Sequence, residues 1–288
     1  MISAEQELVR ARQYLADGNY FQATLVCDQV LRTAPDFPGA QELHTTLSKV
    51  NLGFGTAAEQ RMPGPMYLDW LRWFHDAMRP ATYLEIGVET GQSMRFAKAP
   101  TRAVGVDPKM SIQWAMQTQV DLFEMTSDQF FATQDLRKVL GHDFVEFAFL
   151  DGLHTFDQTL RDFIHVEKFA HRQTVVVLHD VLPATPITAD RDRKTVFWVG
   201  DTWKILPILR EYRPDLRIIT IPTYPSGLAV VTGLDPTSSR LNEVFDEAVQ
   251  RFLPVRLEEN VAQFERFLNQ IPNDAAFVAN WLKTESRV

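Results

Sequence analysis

Cysteine is almost missing from this 288-residue chain: Cys27 stands alone, so no disulfide can form within it. That excludes the small disulfide-stapled folds and fits a reducing compartment, so a cytoplasmic protein is expected. Long apolar runs are lacking as well, which excludes a helical membrane span, and no basic stretch leads into an apolar one at the start as in a secretory leader. Basic charge is in short supply. There are 29 Lys and Arg against 37 Asp and Glu, a formal net charge of −8, so no broad electropositive face for nucleic acid is expected. The G-x-G-x-x-G turn of dinucleotide-binding folds is also missing. At 45% hydrophobic and 23% charged residues, the chain can bury a sizeable core and is not globally disordered.

What is present is organised around Tyr83 to Asp107. Tyr83 to Ile86 reads as a buried strand, followed by a turn containing Gly87 and Gly91. Gln92 to Ala97 reads as the start of a helix, and Ala103 to Val106 as a second strand ending on Asp107. Such a strand-turn-helix-strand unit places a ligand at the carboxyl ends of parallel strands, beside a helix N-terminus. The turn follows the pattern E-x-G-x-x-x-G from Glu85, and its glycines permit sharp turning and close backbone approach. It holds no basic residue, while Glu85 and Glu89 lie in or beside it, so it suits a cationic or zwitterionic ligand better than a pyrophosphate. Asp107 stands about twenty residues on, where an acid can hold two ribose hydroxyls.

Further strands follow, each ending in polar residues. Val120 to Met125 leads to Thr126-Ser127-Asp128, a helix N-cap signal. Phe144 to Leu150 ends on Asp151, then Gly152-Leu153-His154 and a helix over residues 155–170. The β-branched run 174–178 ends on His179-Asp180. In an open parallel sheet these tips line one crevice. Residues 216–221 and 228–232 read as an antiparallel hairpin. A polar helix is expected over 111–118, a linker or loop over 51–66, and a helix over 66–77. The charged stretch 183–200 fits a solvated loop or a lid over the site. Helices are expected at 3–34, in two pieces, and at 38–50. More are expected over 236–283, broken at Pro254 and Pro272 and packed on the N-terminal arm.

Residues 65–233 resemble the class I S-adenosylmethionine-dependent methyltransferases, on the E-x-G-x-x-x-G turn, Asp107, the D-G-x-H run from Asp151 to His154, and the His179-Asp180 pair. Those last two motifs are similar to a branch acting on hydroxyls of sugars and small molecules. The resemblance implies an α/β, Rossmann-like sheet of parallel strands closed by a C-terminal antiparallel hairpin. It implies S-adenosylmethionine held by Glu85, Gly87, Gly91, Asp107, Thr126, Ser127, Asp128 and Asp151, and catalysis by Asp151, His154, His179 and Asp180. His154 has a pKa suited to a general base at neutral pH. Asp151, His179 and Asp180 would hold a divalent metal ion, although His179 and Val181 flank Asp180 where metal-dependent members carry a further acid or amide. Tyr14, Gly18, Tyr20, Ala23, Leu31 and Pro35 resemble one tetratricopeptide unit. The expected division is a helical arm over 1–52, a methyltransferase domain over 53–235 and a helical extension over 236–288. The partner is a small-molecule acceptor, and the extensions are expected to pack on the core or on a second copy. A nucleotide-binding oxidoreductase or sugar-nucleotide enzyme, or a non-catalytic interaction protein, stays open on sequence alone.

Overall fold

The computed structural model describes residues 3–284. Three helices come first: α1 (Ala4–Ala16), α2 (Tyr20–Thr33) and α3 (Ala40–Arg61). A capping box closes the start of α1, where Ser3 accepts from the amide of Gln6 and the Gln6 side chain accepts from that of Ser3. The three helices bury their own cluster of Leu8, Ala11, Ala23, Val26, Cys27, Val30, Leu43 and Leu47. α3 is longer than the sequence pattern suggests. It runs through Gly53 and Gly55, across the expected linker and past residue 52, and its Ala58 and Met62 reach into the main core. Helix propensity alone disfavours those glycines by about 1 kcal/mol each; burial of the helix's end decides otherwise.

After α4 (Tyr67–Met78) the sheet begins: β1 (Thr82–Ile86), β2 (Lys98–Asp107), β3 (Gln117–Glu124), then α5 (Ser127–Thr133), α6 (Leu136–Leu140), β4 (Phe147–Leu150), α7 (Phe156–Glu167) and β5 (Val175–His179). α8 (Ile205–Tyr212), β6 (Arg217–Ile221), β7 (Leu228–Thr232), α9 (Arg240–Glu243), α10 (Phe245–Phe252), α11 (Leu257–Leu268) and α12 (Ala275–Lys283) complete the chain. The sheet order is β3-β2-β1-β4-β5-β7-β6. The first five strands are parallel, and β7 runs antiparallel to both β5 and β6. This is a Rossmann-like sheet closed by an antiparallel hairpin. Chain order reverses between β1 and β4, which opens a crevice at the carboxyl ends of the strands there. Alternation along the strands gives each face its own core: Leu84, Ile86, Ala148 and Leu150 on one side, Tyr83, Phe147 and Phe149 on the other.

Three expectations fail. No helix follows Gln92. The crossover spans residues 87–97 and holds a single 3₁₀ turn, Met94–Phe96, because β2 starts early, at Lys98. That length sits at the lower limit for joining parallel strands, with no room for a helix. Residues 111–116 form no helix either; they fold back on the glycine turn, with Ser111 and Gln113 amides donating to the carbonyls of Glu89 and Thr90. The C-terminal segment packs on the sheet and the helices around it rather than on the arm: Phe264 of α11 meets Trp203 at 4.9 Å between ring centroids, Arg217 of β6 lies under Trp281, and Asn273 accepts from Trp70 Nε1 of α4 at 2.6 Å. They face the arm across a cavity of about 630 Å³ lined by Asp17, Gly18 and residues 253–258. Among the described residues no helix is long and apolar enough to cross a membrane.

Candidate functional site

Two adjoining half-sites occupy the crevice. The first is a cavity of about 280 Å³ over the tips of β1, β2 and β3. Gly87, Asp107, Thr126, Ser127 and Asp128 line it, together with Pro108, Leu153, Gln158 and Asp162, which the sequence reading did not single out. The Asp107 carboxylate is fixed by backbone: it accepts from the amides of Glu89 (3.0 Å) and Lys109 (2.7 Å). Thr126 caps α5 by accepting from Gln129. Gln158, on the first turns of α7, reaches Ser127 Oγ, Asp128 and Asp162 at 3.0–3.2 Å. Burial pushes the Asp162 carboxyl up to about 6, against the hydrogen bonds it accepts. Gly87 has φ of +92°, and a β-carbon there would come within 1.9 Å of the Asp151 carbonyl, so only glycine fits between β1 and β4 at this point.

Glu85, Gly91 and Asp151 do not line that cavity. Glu85 is fully buried, accepting from Tyr83 Oη at 2.6 Å and from Ser93 Oγ; burial pushes its carboxyl up to about 8, so at neutral pH it carries a proton. Gly91 packs under Ile112 and Met116. With the first helix absent, no helix N-terminus faces the ligand from this crossover.

The second half-site is a charged cluster at the tips of β4 and β5. His154 Nε2 lies 3.0 Å from Asp180 Oδ2 and 3.4 Å from Asp151 Oδ1. His179 Nδ1 donates to Asp151 Oδ1 at 3.0 Å, and its Nε2 meets Ser226 Oγ at 3.1 Å. Tyr67 stacks on His179 at 4.6 Å, and Trp198 stacks on His154 at 5.4 Å. Asp180 Oδ2 is buried with no aligned hydrogen-bond partner, although the His154 ring is close. Burial alone would raise the Asp151 carboxyl, but His179 and His154 outweigh it and hold it well below the usual carboxylate range. Burial disfavours both imidazolium ions, yet the two carboxylates raise His154 well above its ordinary value and raise His179 also. A raised pKa for His154 favours the protonated ring, which opposes the general-base role that its residue type suggests.

Asp151, His154 and Asp180 each offer one donor atom, all within 4.8 Å of one another. Two carboxylates, one of them with an oxygen left unpartnered, and one imidazole suit a divalent ion. The set differs from the sequence expectation: His154 replaces His179, which is tied to Asp151 and Ser226 instead. The backbone here is strained. Among the described residues five non-glycine residues have positive φ, and Glu89 (+46°), His154 (+59°) and Asp180 (+59°) all lie at this crevice. Such conformations persist only where the surroundings enforce them, and they concentrate at functional sites.

No curated protein matches the chain. Among solved structures it is similar to an S-adenosylhomocysteine-bound methyltransferase of Podospora anserina, with 12% identity, 64% of this chain and 87% of that one covered, and a TM-score of 0.43. An O-methyltransferase of tomaymycin synthesis from Streptomyces achromogenes, in complex with S-adenosylmethionine, gives 15%, 65%, 96% and 0.43. An O-methyltransferase of Bacillus cereus in complex with S-adenosylhomocysteine gives 13%, 72%, 96% and 0.43. Residues 84–181, the stretch that carries Glu85 through Asp180 and so most of both half-sites, match the family model described as a methyltransferase domain.

Proposed function

We propose that the chain is an S-adenosylmethionine-dependent methyltransferase acting on a hydroxyl of a small-molecule acceptor, with a divalent cation at the β4–β5 cluster. One observation carries this reading: Gly152 and Leu153, which line a cavity carrying Asp107, Ser127, Asp128 and Gln158, lie in the chain between Asp151 and His154, two members of a cluster able to hold a cation. In the cavity Asp107 is placed to accept from ribose hydroxyls, while Ser127, Asp128 and Gln158 offer polar edges for a base. Gly87 keeps the floor free of side chain. Glu85 is neutral and internally bonded, so Glu89 remains as the exposed acid of the glycine turn for an ammonium group.

Methyl transfer to a hydroxyl needs placement and loss of the hydroxyl proton. When bound, S-adenosylmethionine supplies an electrophilic methyl on a sulfonium, and a divalent cation supplies a Lewis acid that lowers the pKa of an attached hydroxyl. Asp151, His154 and Asp180 are the residues that would hold the cation. His179 orients Asp151 by donating to Oδ1, and Ser226 fixes His179 from behind. The antiparallel closing hairpin and the lack of a G-x-G-x-x-G turn weigh against an oxidoreductase.

Thermal melting with added ligand tests the reading. S-adenosylhomocysteine binds the folded state alone and should raise Tm by mass action. NAD should not. A shift with NAD and none with S-adenosylhomocysteine would sink the proposal.

A further inference from the structure

We infer that Trp198, with the turn that follows it, is a positioning residue for His154, presenting its Nε2 to Asp151 and Asp180. The inference rests on the proposed cation site and concerns what aims one of its donors. His154 sits on the loop after β4 at a left-handed φ of +59°, a conformation that does not hold itself. Residues 198–201 hold it from two directions. On the backbone side, the Asp201 amide donates to the His154 carbonyl at 3.2 Å. Gly200, at φ +67°, presses so close that a β-carbon there would stand 1.9 Å from that carbonyl oxygen. On the ring side, Nδ1 lies 3.3 Å from the Trp198 carbonyl, and the indole stacks on the imidazole at 5.4 Å with 22° between planes. A carbonyl oxygen only accepts, so Nδ1 must carry a proton. The remaining nitrogen, Nε2, is then the one left to face the two carboxylates, as a lone pair when a cation binds.

The 198–201 turn is itself anchored. Trp198 Nε1 donates to the Asp190 carbonyl at 2.7 Å. Asp201 is buried and accepts from the Phe156 amide, Lys204 and Arg191. The charged stretch that reads from sequence as a solvated loop or a lid therefore ends in a fixed clamp on a residue of the site. Tethering the second ring nitrogen of a ligating histidine to a carbonyl commonly changes metal affinity about 10–100-fold.

The test uses the full chain and zinc(II), a diamagnetic ion that imidazole binds well. In the wild type, the His154 Nδ1 proton should appear as an exchange-protected imidazole resonance, assigned by its loss in His154→Asn, both without metal and with zinc. Trp198→Ala removes the stacking ring while keeping the carbonyl. It should loosen the tether, speed exchange of that proton and weaken zinc binding, measured by calorimetry, by up to about 10-fold, the lower end for a partner lost outright. Trp198→Phe should restore both toward wild type. An unprotected Nδ1 proton in the wild type would overturn the inference. So would a Trp198→Ala protein that keeps both protection and zinc affinity. A wild type that protects the proton but binds no zinc would overturn the cation reading while leaving the clamp on His154 in place.

Discussion

The two half-sites of the crevice are built on opposite terms. Over β1–β3 the chain leaves a cavity and holds the Asp107 carboxylate by backbone amides. Over β4–β5 it packs four titratable groups against one another, His179 and Asp180 buried and Asp151 and His154 half-buried, at two left-handed positions, with each histidine stacked on an aromatic ring. An open pocket recognises shape and hydroxyls without large desolvation costs. A buried charge cluster is tolerated only when paired or when it coordinates an ion. Under the proposed function, the contrast would give nucleoside binding to the first half and management of acceptor charge to the second.

Gly87 joins the halves, and Gly87→Ala should break both at once. A β-carbon overlapping the Asp151 carbonyl must push β1 and β4 apart, at a cost of roughly 2–4 kcal/mol. A lowered Tm with loss of both S-adenosylhomocysteine and zinc binding is expected; a melting curve and two titrations like those of wild type would contradict the shared wall. Asp180→Asn should separate the halves. It removes a charged donor from the cluster and should abolish measurable zinc binding by calorimetry, while the melting shift with S-adenosylhomocysteine persists. Equal loss of both ligands would mean that the cluster and the cavity are one site.

A smaller effect concerns pH. Burial pushes the Glu85 carboxyl up to about 8, above its unfolded value. Between the ordinary carboxyl range and about pH 8 the folded chain holds a proton that the unfolded chain has released. Glu85 therefore contributes stability fully at low pH, and that contribution falls as pH rises through this window. Glu85→Gln should flatten the decline in denaturation midpoint between about pH 5 and pH 8. Parallel pH profiles for the two proteins would show that Glu85 ionises as an ordinary carboxyl, against the effect of its burial, which outweighs the hydrogen bonds from Tyr83 and Ser93.

Much of this was legible in the sequence because strand tips are local. A β-branched run such as Val175–Leu178 announces a buried parallel strand, and the residue after it is at the crevice whatever the rest of the chain does. Asp107, Asp151, His154, His179 and Asp180 were all found that way. Their side-chain directions were not. His154, rather than His179, groups with Asp151 and Asp180, and Ser226, Tyr67 and Trp198, far away in sequence, contact the two rings. Nor does a lone polar residue on a helix, such as Gln158, advertise that it faces a cavity. The missing helix after Gln92 was misread for a related reason. Residues 92–97 carry no signal against a helix, and what excludes it is the early start of β2, set by its pairing with β3.

Calorimetric titration of S-adenosylhomocysteine into the wild type, Asp107→Ala and Asp180→Asn tests the division of labour most directly. The account predicts saturable binding by the wild type, loss of most of it in Asp107→Ala, and near wild-type affinity in Asp180→Asn. Absence of binding in the wild type, or an affinity that follows Asp180 and ignores Asp107, would contradict it.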